Sequence, residues 1–334
     1  MCAAAARLQI DGAQPGCEFC RMAHEKYDRL IAAVKAIPAI TTAVAHPCDV
    51  ASLSGAVDAA KAGIIVPILV GPPARIRAAA QQAGLDISPY QLVPTEHSHA
   101  SADEAVALVR EGKAELLMKG SLHTDELIAA VVNRTTGLRT ERRISHCFVL
   151  DVPRYHKPLI ITDAAINILP TLEDKADIVA NAIELAQALN IRRPKVALLS
   201  ATESVNPKIP STVEAAALCK MADRGQITGG LLEGPLALDN AINPEAAKVK
   251  GIGGEVAGDA DILVVPDLEA GNMLAKSLSF LAEADAAGIV LGARVPVMLT
   301  SRADSVQSRM ASCAVAALLA ARRRERTAQK AVAD

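Results

Sequence analysis

Short apolar runs alternate with amphipathic helical patterns along almost the whole chain, and that alternation limits the possible folds more than any other feature. AITTAVA (39–45), IIVPILVG (64–71) and AELLMKG (114–120) read as buried strands. Helical patterns lie between them over 50–63, 72–84 and 101–112, with Asp49 placed to cap the first and Gly112 to stop the last. The second half keeps the rhythm. Its strands are PLIITDA (158–164), KVALLSA (195–201), ADILVVPD (260–267), AGIVLG (287–292) and VPVMLTS (295–301), and its helices span 171–190, 211–223, 272–284 and 303–324. Strand–helix–strand punctuation predicts an α/β fold with parallel sheets covered by helices on both faces.

A chain of 334 residues exceeds what one core usually holds, so two domains are expected. The stretch SHCFVLDVPRYHKP (145–158) marks a change of territory. It sets domain I at 1–150 and an inserted domain II at 151–299, with residues 300–334 returning to domain I. Aromatic residues make up 2% of the chain and Trp is absent, so Ala, Val, Leu and Ile must build the core. The formal net charge of −2 argues against nucleic acid or an anionic membrane as partner. No apolar run is long enough to span a bilayer, and the first residues lack a signal-peptide pattern. Seven scattered cysteines indicate reduced thiols in a cytoplasm. Cys17 and Cys20 have zinc-knuckle spacing, but no second pair follows, so no metal is implied.

In open α/β sheets, ligands bind beyond the carboxyl ends of strands. The segments there are KGSLHTDEL after 118, Thr162 and Asp163, ATESVNPKIPST after 200, PDLEAGN after 265, and TSRADS after 299. Hydroxyls, small residues and single charges at helix starts suit a phosphorylated ligand. Most of the Asp, Ser, Thr and Asn there also serve as ordinary N-caps. Lys119 with Gly120, and Arg302, are harder to explain by local structure. A Lys closing an apolar strand gains nothing from packing, and an Arg in an apolar junction needs an anion. His123 is either a base or a surface helix residue. No Walker A, G-x-G-x-x-G, G-x-S-x-G or H-E-x-x-H motif is present.

Taken together, LLMKGSLHTDELIAAVV, GLRTERRISHCFVLDVP, ITDAAINILP, SATESVNPKIPST, GGLLEGPLALDNAI, VAGDADILVVPDLEAGNMLAK and TSRADS resemble the phosphate acetyltransferase and phosphate butyryltransferase family, over roughly residues 24–320. The resemblance implies reversible transfer of an acyl group, acetyl first and butyryl as the alternative, between CoA and inorganic phosphate. No metal, cofactor or covalent acyl-enzyme is used, and CoA is a substrate. It implies two α/β domains with a cleft between them, similar to the isocitrate and isopropylmalate dehydrogenases, and a homodimer.

By the same resemblance, Ser301, Arg302 and Asp304 are the catalytic candidates. Lys119, Gly120, Thr124, Arg142, Asp239, Asn240, Gly271, Asn272 and Thr300 are the candidates for holding CoA or phosphate. Acetyl-type relatives place a catalytic aspartate six residues after the arginine, where this chain has Ser308. Asp304 is the only acid in that loop, as in the butyryl-type pattern. The arginine that acetyl-type members carry after KGxxxT is missing, and Arg134, Arg139 or Arg142 stands in for it. The chemistry is intelligible from the residues. A carboxylate takes the thiol proton, and Arg302 with Lys119 offsets the oxyanion of the tetrahedral intermediate. Rival readings are a decarboxylating dehydrogenase, for which the aspartate cluster and nucleotide loop are missing, and a non-catalytic sensor of CoA or acyl phosphate.

Overall fold

The computed structural model of the protein describes residues 25–299 and 305–333. Cys17, Cys20, Thr300, Ser301, Arg302 and Asp304 lie outside the described residues. The first half runs α1 (Glu25–Lys35), β1 (Ile40–Ala45), α2 (Val50–Lys61), β2 (Ile65–Gly71), α3 (Pro73–Ala83), β3 (Gln91–Pro94), α4 (Ser98–Arg110), β4 (Leu116–Lys119), α5 (Thr124–Val132) and β5 (Ser145–Asp151). There follow β6 (Leu159–Thr162), α6 (Leu172–Ala188), β7 (Lys195–Leu199), α7 (Pro210–Asp223), β8 (Leu231–Leu236), α8 (Leu238–Ile242), α9 (Pro244–Val249), β9 (Ile262–Val264) and α10 (Leu268–Leu281). The chain closes with β10 (Asp285–Leu291), β11 (Val297–Met298) and the long α11 (Val306–Ala333).

Helix boundaries follow local chemistry. Asp49 caps α2 by accepting from Ser52 N at 2.8 Å. Thr171 and Asp174 form a reciprocal capping box at the start of α6. Helix α10 begins four residues before the pattern suggests, because Asp267 accepts from Ala270 N at 2.8 Å and draws PDLEAGN into the first turn. Three strands were not legible as such. β3 is short and half-exposed, β8 sits in a Gly-rich stretch, and β5 is the apolar run taken as a boundary.

The strands form one continuous sheet in the order β3-β2-β1-β4-β11-β10-β5-β6-β9-β7-β8. The first-half strands and β11 are parallel to one another, as are β6, β9, β7 and β8. The two parallel sets are joined through β10, which is antiparallel to both β11 and β5, and through β5, which is antiparallel to β6. The closing strand β11, inside the 151–299 stretch assigned to domain II, pairs in parallel with β4 of the first half.

One face of the sheet carries a single apolar cluster shared by α2, α3, α6, α7 and α11. The other face is split. α4 and α5 cover a cluster over the first-half strands, and α8 and α10 a second cluster over the second-half strands. Small residues let α11 lie close on β10, with Cys313, Ala314, Ala316 and Ala317 fully buried. Cys147 on β5 joins the same cluster, and burial pushes both Cys147 and Cys313 thiols up to about 12.

The capping box predicts a measurable effect. Thr171→Ala removes a cap worth about 1 kcal/mol and should lower the thermal midpoint, followed by circular dichroism, by ~3 °C.

Candidate active site

The antiparallel join sets where the strand ends fall. Met118, Met298, Ile289, Cys147, Thr162 and Val264 are paired in turn and form one row across the sheet. β4 and β11 finish at this row from one direction, β6 and β9 from the other. The carboxyl ends of both halves therefore converge on the middle of the sheet, four strand spacings apart between β4 and β6, or about 19 Å. On the split face this middle is the gap between the two helix-covered clusters.

Lys119 is in phase with Leu117, which belongs to the first-half cluster on the split face. The residue is 9% exposed, and its Nζ lies 3.4 Å from Gly120 O. Gly120 is fixed by a close approach. A Cβ there would stand 2.4 Å from Ala45 O and 2.5 Å from His46 O. The backbone that comes near Gly120 is thus that of the β1 end rather than a ligand. Gly120 N donates to Ala45 O, and Ser121 donates to His46 O through both N and Oγ, at 2.8 and 2.9 Å. Thr124 is exposed at the start of α5, and His123 is exposed just before it.

Two histidines that sequence reasoning did not select frame this junction. His46 takes a left-handed conformation (φ 57°) directly after β1 and is buried. Its Nδ1 meets Ser101 Oγ at 2.9 Å, and Arg75 Nη1 lies 3.3 Å from its Nε2. Burial first, and then the Arg75 charge, hold its pKa below the ordinary value. The rule that selected Lys119, reading the residue just past a strand, also points to His46.

His146 had no such signal, because it lies inside β5. It is 2% exposed and in phase with Phe148 and Leu150, so it points to the split face at the gap between the clusters. Its ring meets Phe148 edge-on at 4.4 Å, and Nδ1 is buried with no hydrogen-bond partner among the described residues. Gly288 leaves room for it, since a Cβ there would be 3.1 Å from His146 Nε2 and 3.5 Å from Leu299 O. The imidazole therefore stands beside the end of the segment that leads into Thr300–Asp304. Burial pulls its pKa down to about 4, with the Asp163 carboxylate acting in the opposite sense.

The second-half candidates are built into local structure. Asp163 is buried and accepts from the backbone N–H groups of Ala165, Ile166 and Asn167 and from Asn167 Nδ2, which turns the chain after β6. Gly271 packs α10 onto this turn, where a Cβ would be 2.8 Å from Asp163 O. Asn272 Nδ2 reaches Ala164 O at 3.3 Å. Asn240 is fully buried and donates to Glu203, while Asp239 and Glu269 are exposed.

Arg142 stands elsewhere. It pairs with Glu184 of α6 at 3.1 Å, on the face of the sheet opposite Lys119. Its place just before β5 puts it toward the amino ends of β4 and β11. The structure does not bring it together with Lys119. Among the described residues, no group of three or more His, Cys, Asp and Glu is arranged to hold a metal ion.

Residues 96–317 match the family model described as Phosphate acetyl/butaryl transferase. The chain is 67% identical over 299 residues to a phosphate acetyltransferase of Rhizobium meliloti, covering 90% of this chain and 95% of that one. It is 43% identical over 296 residues to a phosphate butyryltransferase of Clostridium acetobutylicum, covering 89% and 98%. A branched-chain phosphotransacylase from Enterococcus faecalis V583 superposes with a TM-score of 0.73 at 34% identity, over 84% of this chain and 99% of that chain.

The buried imidazole makes stability depend on pH in a defined sense. An unfolded His binds its proton near pH 6.5, while folded His146 binds it near 4. As pH falls below about 6.5, the unfolded chain takes up the proton first and stability drops. Urea denaturation at pH 7 and pH 5 should show a smaller loss for His146→Gln than for the wild type.

Proposed function

Because the chain belongs to the Phosphate acetyl/butaryl transferase family, we propose acetyl as its physiological acyl group. The enzyme transfers an acyl group reversibly between CoA and inorganic phosphate, acyl-CoA + phosphate = acyl phosphate + CoA. The 67% identity to an acetyltransferase, against 43% to a butyryltransferase, is the observation that carries the choice of acetyl.

In this reading both substrates meet over the row where the two sets of strand ends converge, between residues 1–150 with the returning 300–334 segment and residues 151–299. The CoA sulfur attacks the acyl phosphate carbonyl, the thiol proton passes to Asp304, and phosphate leaves as the tetrahedral intermediate collapses. Ser301 and Thr300 hold the phosphate or carbonyl oxygen, and Arg302 with Lys119 offsets the developing negative charge. Holding both substrates together supplies much of the remaining acceleration. Asp163 is a poor alternative base, since its oxygens already accept four hydrogen bonds.

The reading includes a cytoplasmic homodimer that needs neither metal nor cofactor. Free thiols at Cys48, Cys147, Cys219 and Cys313 suit a reducing compartment. Met273, Phe280 and Leu281, exposed on α10, offer an apolar face for a second copy.

CoA release, followed with Ellman's reagent, should require phosphate, be unaffected by EDTA and show its highest kcat/KM with acetyl-CoA rather than propionyl- or butyryl-CoA. Strict dependence on a divalent ion, or CoA binding without acyl phosphate formation, would contradict the scheme. Arg302→Ala should lower kcat/KM by at least about 10²-fold, with partial rescue by Arg302→Lys, which lacks the planar fork. Asp304→Asn should lower the rate by roughly 10²–10⁴-fold and alter the acidic limb of the pH profile. Its stability should hardly change, since Asn caps a helix about as well as Asp.

A further inference from the structure

Away from the converging strand ends, a recess of about 780 Å³ lies where the 139–142 segment, the turn after β10 and the basic half of α11 come together. Five arginines and two glutamates line it, a formal +3 in a chain whose formal net charge is −2. Glu184 accounts for part of that charge by holding Arg142 at 3.1 Å and Arg323 at 2.8 Å, and these guanidiniums keep its carboxyl below the usual range despite burial. Arg139, Arg294 and Arg326 form no ion pair with any carboxylate among the described residues.

The cluster is held by backbone rather than by mobile side chains alone. Arg139 bridges to Ala293, Arg294 N donates to Leu138 O at 2.9 Å, and Thr140 Oγ1 donates to Gly292 O at 2.6 Å. Gly292 turns with φ 83°, and a Cβ on it would stand 2.3 Å from Arg143 O. Arg323 also donates to Ala293 O at 3.2 Å, which ties α11 to the same turn. Three segments distant in sequence are thus locked into one cationic wall.

We propose that this recess is a binding site for a small polyphosphate, a ligand bearing two or more adjacent phosphoryl groups, separate from the acyl-transfer site. Its volume falls within the small-ligand range of roughly 300–1,000 Å³. Guanidinium forks match phosphoryl oxygens, and a formal charge of +3 calls for more than one phosphate. No aromatic side chain lines the recess, so the guanidiniums are its main recognition groups and phosphoryl oxygens their natural partners.

Separation from the acyl-transfer site rests on geometry. The recess includes α6 and α11, which cover the face opposite Lys119. Gly292 lies four residues along β10 from Gly288, about 13 Å back toward the amino ends of β4 and β11. The ion pair of Arg324 with Glu115, just before β4, fixes the basic half of α11 at that same end.

Isothermal titration of the full chain with inorganic triphosphate should give one site per chain. Orthophosphate should bind at least about tenfold more weakly, and raising the salt concentration should weaken triphosphate binding. The affinity should persist in saturating CoA, which carries phosphates of its own, and fall at least about tenfold in the double variant Arg294→Gln/Arg326→Gln. The variant's KM for CoA should be unchanged. Absence of triphosphate binding, its displacement by CoA, binding indifferent to the double variant, or a raised KM for CoA in that variant would each overturn the proposal. Because the titration reads binding and not acyl transfer, its failure leaves the enzymatic reading to be judged by its own assay.

Discussion

The hydrogen-bond ladder between β10 and β5 is the constraint on which the molecule depends. Its register, from Asp285 opposite Asp151 to Leu291 opposite Ser145, is the middle one of three antiparallel pairings that reverse strand direction between the two parallel sets. A purely parallel sheet would place all its carboxyl ends along one edge. Here the reversal brings two sets of ends to a common row. It also leaves one face continuous, so that α6 and α11 brace both halves, while the other face is divided and open at the centre. A protein that must hold two substrates side by side gains from such a layout. Each half presents its own loops, and the bracing face keeps their spacing fixed.

The close contacts around this row are made by residues of low conformational cost. Gly120 lets β4 end directly against the β1 turn, and Gly288 leaves the volume that the His146 ring occupies. Gly271 lets α10 sit down on the Asp163 turn. Added side-chain atoms at Gly120 and Gly271 would meet backbone, which cannot swing aside as a side chain can, and at Gly288 they would meet the His146 ring. The small residues near the strand ends therefore serve the precision of the scaffold before they serve any ligand.

Much of the fold was legible in the sequence because it follows from patterns with a physical period. The apolar runs at 39–45, 64–71 and 114–120 became strands, and Asp49, Thr171, Gly84 and Gly112 bounded helices as their chemistry dictates. β5 was hidden because a strand buried on both faces shows no alternation, and Pro153 and Pro158 beyond it resembled a linker. A candidate site residue was legible where it lay just past a strand, as at Lys119, and obscure where its position depended on register, as for His146. Arg142 shows a position that residue type alone does not give. Its residue type suited phosphate, but no one-dimensional reading could reveal that it precedes β5 on the opposite face. Gly271 looked like a loop residue only because the Asp267 cap was not recognised.

The sulfur chemistry of the interior follows from the packing of α11 on the sheet. Cys147 and Cys313 share one dry layer, and burial also lifts the Cys48 and Cys219 thiols to about 11. Peroxide and disulfide exchange act on thiolate, and at neutral pH these four side chains supply almost none. Among the described residues, these four thiols are thus poor targets for the oxidants that would consume a free thiol substrate.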